Sequence, residues 1–209
     1  MLGGGWDKDM KRAALIPVKR LRRTKTRLGR HLAAVERAGL SITIFSRVVE
    51  ACREAGIKPV CVSPDPYVES LAKSRGWAFI KDRGSSLRSA ISMGVQRLVR
   101  DGYDEVMVVS ADLPLIGCED IKWLVRISRQ ADAVLCPNLH MDGTNIIYLR
   151  HPRLFRPLYG GDSYRKHLKH LRSYGLAVKT FITMGTALDI DTPSDLKLLS
   201  RLRPSSTSP

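Results

Sequence analysis

The chain has 209 residues, 44% of them hydrophobic, with 35 Lys and Arg against 20 Asp and Glu and a formal net charge of +15. That length predicts a single domain able to bury its own core, and no apolar run approaches the ~18 residues of a membrane span. The charge attracts polyanions, whether nucleic acid, nucleotides or phosphorylated metabolites, and does not choose among them. The opening MLGGGWDKDMKR has no apolar core segment, so no secretory signal is expected. Cys52, Cys61, Cys118 and Cys136 form no CxxC pair, which argues against a zinc ribbon or disulfide framework and suits a reducing cytoplasm.

Residues 1–11 read as a flexible tail with three glycines and no apolar period. Ala13–Val18 reads as a first strand, closing at Pro17. Lys19–Arg30, KRLRRTKTRLGR, then places seven basic residues in twelve. Directly after the first strand of an α/β sheet, such a loop can hold phosphates, with N–H groups of the next helix N-terminus binding oxygens. A nucleic-acid patch or a solvated surface are the alternatives. Neither a Walker A pattern nor GxGxxG is present.

His31–Ala55 has helical periodicity through Leu32, Val35, Leu40, Ile44, Val48 and Val49, with Gly39 and Ser41 predicted to divide it and Gly56 to stop it. Lys58–Val62 is a strand, Tyr67–Arg75 a helix stopped by Gly76, and Trp77–Ile80 a short strand. A helix capped by Ser86 runs to Arg100.

Glu105–Leu115, EVMVVSADLPL, is the central strand and its exit. Its unbroken apolar run reads as a strand covered on both faces. Asp112 follows the carboxyl end, where α/β sheets bind ligands, although a turn aspartate reads the same way. Glu119 and Asp120 open a helix and suit its dipole. Ala133–Cys136 and Thr144–Leu149 are further strands around the loop NLHMDG, where Gly143 marks a sharp turn and His140 a loop histidine.

Gly160-Gly161-Asp162-Ser163 opens a helix with Asp162 or Ser163 as N-cap, and such an N-terminus could equally bind a phosphate. His167 and His170 lie three apart on it, a spacing that could share a metal but supplies no third ligand. Val178–Thr183 is the last strand. In ALDIDTPSDLKLL, Thr192, Pro193 and Asp195 form a capping box, which makes Asp195 structural. Asp189 and Asp191 share one face of an extended segment, with Leu188 and Ile190 on the other. Paired carboxylates repel unless hydrated or bridged by a cation, and hard oxygen ligands of this kind suit Mg²⁺. RPSSTSP, residues 203–209, reads as a disordered tail. Alternating strands and helices over 12–202 predict one three-layer α/β sandwich with a mostly parallel sheet, Rossmann-like in its layering.

These pieces resemble the nucleotidyltransferases of the nucleotide-diphospho-sugar transferase fold, MobA-like in type. More narrowly they resemble the 2-phospho-L-lactate guanylyltransferase family of coenzyme F-420 biosynthesis. The matching segments are IPVKRLRRTKTRL (16–28), ADLPL (111–115), GTN (143–145), GGDS (160–163) and DIDTPSDL (189–196). The resemblance implies transfer of GMP from GTP to 2-phospho-L-lactate, or to phosphoenolpyruvate or 3-phosphoglycerate, with release of pyrophosphate. It implies Mg²⁺ on Asp112, Asp189 and Asp191, nucleotide contacts from Lys19, Lys25 and Arg27, and acceptor contacts from Thr144, Gly160 and Ser163, with Asp112 and Lys25 the catalytic pair. It also implies a homodimer and a cytoplasmic setting. Leu87-Arg88 stands where family members carry Leu-Asn, a place tied to the nucleotide base. A molybdopterin or sugar-phosphate acceptor is the nearest alternative. A non-catalytic nucleic-acid-binding protein is the other, and the 6% aromatic content disfavours it.

Overall fold

The structure, a computed structural model, describes residues 10–84 and 86–202. Of the tails expected at 1–11 and 203–209, all but Met10 and Lys11 lie outside the described residues.

The strands are β1 (Arg12–Pro17), β2 (Lys58–Ser63), β3 (Ala78–Lys81), β4 (Glu105–Val109), β5 (Ala133–Pro137), β6 (Thr144–Leu149) and β7 (Val178–Thr180). They form one seven-stranded sheet in the order β3-β2-β1-β4-β6-β5-β7. Every neighbouring pair is parallel except those of β6, which is antiparallel to β4 and β5. The reason is the connection. Residues 138–143 are too short a bridge for the crossover of a dozen or more residues that a parallel pair requires.

The helices are α1 (Ala34–Glu54), α2 (Pro66–Ser74), α3 (Leu87–Arg100), α4 (Cys118–Ser128), α5 (Ser163–Ser173), α6 (Met184–Ala187) and α7 (Pro193–Leu202). Alternate strand residues serve opposite layers. Ala14, Ile16, Met107, Val109, Cys136 and Tyr148 pack with Phe45, Val48, Val68 and Leu124 from α1, α2 and α4. Ala13, Leu15, Val60, Val106 and Val108 pack with Ile91, Val95 and Leu98 of α3. Ala133, Leu135, Ile147 and Leu149 meet Tyr164 and Leu171 of α5. Covering on both faces is why β4, β5 and β6 are apolar without alternation. The approach of α3 is close enough that a Cβ on Gly94 would stand 2.6 Å from Leu15 Cδ2.

Several expected boundaries move. α1 is one unbroken helix that starts at Ala34, because His31 and Leu32 still close turns onto the Leu28 carbonyl. Gly39 sits on its exposed side, and the Ser41 hydroxyl donates back to the Arg37 carbonyl at 2.8 Å, so neither breaks it. Val35, placed on the apolar stripe, is 77% exposed. At the N-terminus of α1, Glu36 Oε2 takes the Ala33 N–H at 2.6 Å. The last strand ends at Thr180 rather than Thr183, because Thr183 instead caps α6 by accepting from the Thr186 N–H. Gly143 does not need a left-handed backbone. It needs to lack a side chain, for a Cβ there would lie 2.8 Å from Asn138 Nδ2. Neither Asp162 nor Ser163 caps α5 through its side chain; Asp162 takes the cap position at φ 54. The capping box at α7 is as read, with the Thr192 N–H donating to Asp195 Oδ2 at 2.7 Å.

At the other end of the strands Glu105, 3% exposed, gathers Arg12 Nε at 2.5 Å, Arg150 Nε at 3.1 Å and the Tyr148 hydroxyl at 2.5 Å. This ties β1, β4 and β6 together. Glu105→Ala should lower the unfolding free energy by about 2–4 kcal/mol, because it leaves two guanidiniums facing each other without their shared acceptor. Urea melts of the two proteins check it, and a change under ~0.5 kcal/mol would show the cluster to be ornamental.

Candidate functional site

The carboxyl ends of β1 and β4, the amino end of antiparallel β6 and the segments that follow them surround a cavity of about 450 Å³. All nine residues singled out from the sequence line it: Lys19, Lys25, Arg27, Asp112, Thr144, Gly160, Ser163, Asp189 and Asp191. They come from five separate stretches of chain. That volume accommodates a small-molecule substrate.

The acidic wall is built around a loop crossing. Leu188 and Ile190 are fully buried with Leu28, Ile44 and Leu199, which turns Asp189 and Asp191 outward. The Ile190 N–H donates to the Asp112 carbonyl at 3.3 Å, docking this segment beside the exit of β4. Lys25, only 9% exposed and at φ 50, donates from Nζ to the Ile190 carbonyl at 2.6 Å. The basic loop and the acidic segment are thus joined by a side chain that also lines the cavity. Ser110 Oγ donates to Asp112 Oδ1 at 2.5 Å and orients it.

The electrostatics are frustrated. Burial, then the charges of Asp112 and Asp191, push the Asp189 carboxyl up to about 6. Burial and Asp112 also raise Asp191, while Lys25, Arg27 and Lys19 pull it back down. Among the described residues no three His, Cys, Asp or Glu side chains are drawn together tightly enough to hold a metal ion as they stand. The set fits one chemically all the same: three acceptor-only oxygen ligands whose mutual repulsion a hard divalent cation would relieve.

The opposite wall is uncharged. Thr144 is held from behind by His167, at 3.1 Å from its Nδ1. Gly160, at φ 118, and Ser163 form the turn into α5. His167 and His170 do not share a metal. His167 is fully buried with both ring nitrogens engaged, and His170 stacks edge-on against Tyr174. Arg88 is turned toward this wall, its Nε donating to the Tyr159 carbonyl at 2.6 Å, and it is not among the residues that line a second cavity. That neighbouring cavity, about 220 Å³, shares Pro17, Val18, Lys19 and Leu87 with the first and also contains Asp82.

Asp82 and Ser110 carry positions or contacts that the sequence reading assigned to nothing, His167 entered it only as half of a metal-spaced pair, and Asn145 only as a member of GTN. Asn145 is buried, and its amide donates to the Thr186 and Ala187 carbonyls, both at 3.1 Å, fixing α6 and hence the acidic segment beside β6. Its place inside GTN was the available signal. Asp82 directly follows β3, with no local pattern to mark it.

Residues 12–200 match the protein family described as Guanylyl transferase CofC like. The chain belongs to that family. It is 35% identical to a phosphoenolpyruvate guanylyltransferase from Sphaerobacter thermophilus, over 90% of this chain and 91% of that protein. A phosphoenolpyruvate guanylyltransferase from Rubrobacter xylanophilus is 37% identical, over 89% and 92% of the two chains. A 2-phospho-L-lactate guanylyltransferase from Methanocaldococcus jannaschii is 30% identical, over 90% and 81%. Among solved structures, one described as a nucleotide-diphospho-sugar transferase from Desulfovibrio desulfuricans G20 has TM-score 0.80 at 22% identity, covering 95% of this chain and 90% of its own. At that identity it shows the fold, which is the nucleotidyltransferase sandwich expected from the sequence. The CofC-like chain is therefore an enzyme of nucleotidyl transfer, and Lys19, Lys25 and Arg27 of the basic loop line its cavity.

A half-buried and a fully buried group, Asp189 and His167, make opposite demands on pH. Asp189 is raised from 3.8 to about 6, so the native state binds the extra proton and this group adds stability as pH falls through that window. His167 is lowered from 6.5 to about 4, chiefly by burial, so the unfolded state binds the proton and stability is lost as pH falls. Each contributes on the order of 1–3 kcal/mol. Asp189→Asn should therefore stabilise the metal-free protein at pH 7.5 and steepen its loss of stability between pH 6.5 and 4. Urea melts across that range check both; parallel curves for the two proteins would show that Asp189 titrates normally.

Proposed function

We propose that this CofC-like enzyme transfers GMP from GTP to phosphoenolpyruvate, releasing pyrophosphate, in coenzyme F-420 biosynthesis. One observation carries the reading: a single cavity in which three carboxylates stand between a cationic wall (Lys19, Lys25, Arg27) and a neutral hydrogen-bonding wall (Thr144, Gly160, Ser163). Two anionic substrates need such an arrangement, one seated on each wall. Phosphoenolpyruvate is preferred to 2-phospho-L-lactate because the relatives carrying its name are 35% and 37% identical, against 30%.

In this reading the acceptor's phosphate oxygen attacks the α-phosphorus of GTP, and the bond to the β-phosphate oxygen breaks as pyrophosphate leaves. A phosphate monoester is already ionised near neutral pH, so no general base is needed and catalysis is mostly positioning and charge neutralisation. Lys19 and Arg27 offset charge on the triphosphate. Lys25 faces the same phosphates while holding the Ile190 carbonyl, and so keeps Asp189 and Asp191 in place. Asp112, Asp189 and Asp191 would hold Mg²⁺, which when bound supplies Lewis-acid stabilisation of the phosphoryl oxygens. Thr144, Ser163 and the Gly160 turn fix the acceptor.

Asp82 supports guanine as the base. A carboxylate can only accept, and guanine presents two adjacent donors, N1–H and N2–H₂, whereas adenine presents a donor beside an acceptor. The four cysteines, free among the described residues, fit a reducing cytoplasm, and no described helix is long and apolar enough to cross a membrane. The family resemblance supports a homodimer, which light scattering after size exclusion would weigh directly.

The activity is tested by pyrophosphate release from Mg-GTP with phosphoenolpyruvate, 2-phospho-L-lactate and 3-phosphoglycerate side by side. Phosphoenolpyruvate should give the highest kcat/KM, and no release with any of the three would sink the reading. Asp112→Asn and Asp191→Asn should each lower kcat by about 100-fold or more, and near wild-type turnover would remove them from the metal site. Asp82→Asn should cut the preference for GTP over ATP by about tenfold; an unchanged ratio would place the base elsewhere.

A further inference from the structure

We propose that His167 is a positioning residue that commits the Thr144 hydroxyl to donating into the cavity, and thereby selects an anionic oxygen of the acceptor at that point. The inference rests on the reading above in one respect, that Thr144 belongs to the acceptor's wall.

The argument starts from a backbone amide, which can only donate. The Leu158 N–H points at His167 Nε2 at 2.8 Å, so Nε2 must present its lone pair. A neutral imidazole with a lone pair on Nε2 carries its proton on Nδ1. Nδ1 lies 3.1 Å from Thr144 Oγ1. Thr144 Oγ1 therefore faces an N–H and can only accept from it.

The alternative is a doubly protonated ring, and the surroundings oppose it. His167 is fully buried on α5, with Phe155 and Tyr159 rings 5.8 and 4.8 Å away. Burial, then the charges of His170 and Arg88, hold it down to about 4. An imidazolium would also aim an N–H at the Leu158 N–H.

With the back of its oxygen taken, Thr144 has one proton left to place. Among the described residues its side chain has no hydrogen bond besides the one to His167. It stands on the cavity wall beside Gly160 and Ser163. The proton is thus available only to the cavity. A hydroxyl is ordinarily indifferent, able to accept or donate as the ligand demands. Here it is made a fixed donor, which rewards an acceptor oxygen, most of all one of a carboxylate or phosphate, and penalises a ligand N–H, which can only donate. The preference for an acidic acceptor is thus written into a tautomer on the buried side of the wall, as well as into its charges.

Two variants separate the two ring nitrogens. The amide of Asn reaches about as far as Nδ1, and that of Gln about as far as Nε2. His167→Gln keeps a partner for the Leu158 N–H but removes the donor to Thr144. It should raise the KM for the acidic acceptor about tenfold, with the KM for GTP unchanged. His167→Asn should recover most of that loss. Thr144→Val should already carry the whole effect, so that adding His167→Gln to it raises the acceptor KM no further. Equal KM increases for both substrates in both histidine variants, or additive losses in the double variant, would overturn the proposal. The tautomer itself is read without turnover, from long-range ¹H–¹⁵N correlations of the histidine-labelled full chain at pH 7.5. An Nδ1–H ring is expected, and an Nε2–H or doubly protonated ring would overturn the proposal even if the variants also fail to fold. Should the wild-type protein turn over none of the three acids, the proposed function fails, and the tautomer alone decides this inference.

Discussion

Three carboxylates facing one cavity repel each other, and the fold at this end of the sheet is organised to hold them there. Asp189 registers the cost, of its burial first and then of the neighbouring carboxylates, as a carboxyl raised to about 6, a penalty on the order of 1–3 kcal/mol. Leu188 and Ile190, the aliphatics alternating with the aspartates, are fully buried, and each such burial contributes roughly 1.5–3 kcal/mol. The two together outweigh that cost. Hydrogen bonds then fix the register: Ile190 to the Asp112 carbonyl, Lys25 to the Ile190 carbonyl, and Asn145 to the end of α6. The protein keeps an unfavourable charge arrangement by anchoring its backbone through groups that carry no negative charge.

The two walls of the cavity solve different recognition problems. Lys19 and Arg27 are exposed side chains on a loop built from short 3₁₀ turns, suited to a long, highly charged triphosphate. The facing wall is rigid: β6 is paired on both sides, and α5 packs its His167 behind Thr144. A small acid with few atoms needs fixed donors more than it needs charge. Arg88, which donates to the Tyr159 carbonyl, adds a guanidinium beside that wall, where it also helps keep His167 neutral.

Much of this was legible beforehand because its signals are local. β6 has the bounds read for it, Ser86 caps α3, Gly56 stops α1, and Thr192 with Asp195 closes a capping box at α7. Period-two spacing separated the Asp189 and Asp191 face from Leu188 and Ile190, since side-chain direction in an extended segment is set by the backbone alone. The boundaries that moved did so for tertiary reasons. Gly39 and Ser41 stay helical because α1 is held by the packing of Phe45 and Val48, and the last strand stops at Thr180 because Thr183 is drawn into capping α6.

What the chain determined by itself was the set of elements, their two-sided burial and, through recurring motifs, the list of residues that would meet. That they do meet depends on contacts at separations no local pattern encodes. Lys25 reaches Ile190 across 165 positions, and the Thr144–His167 pair spans 23. The same holds for the direction of β6, decided by the reach of six residues, and for the roles of Asp82 and His167. A histidine on a helix reads identically whether its ring binds a metal, faces water or turns a threonine toward substrate. Only the three-dimensional placement of a donor behind one nitrogen and an acceptor before the other distinguishes them.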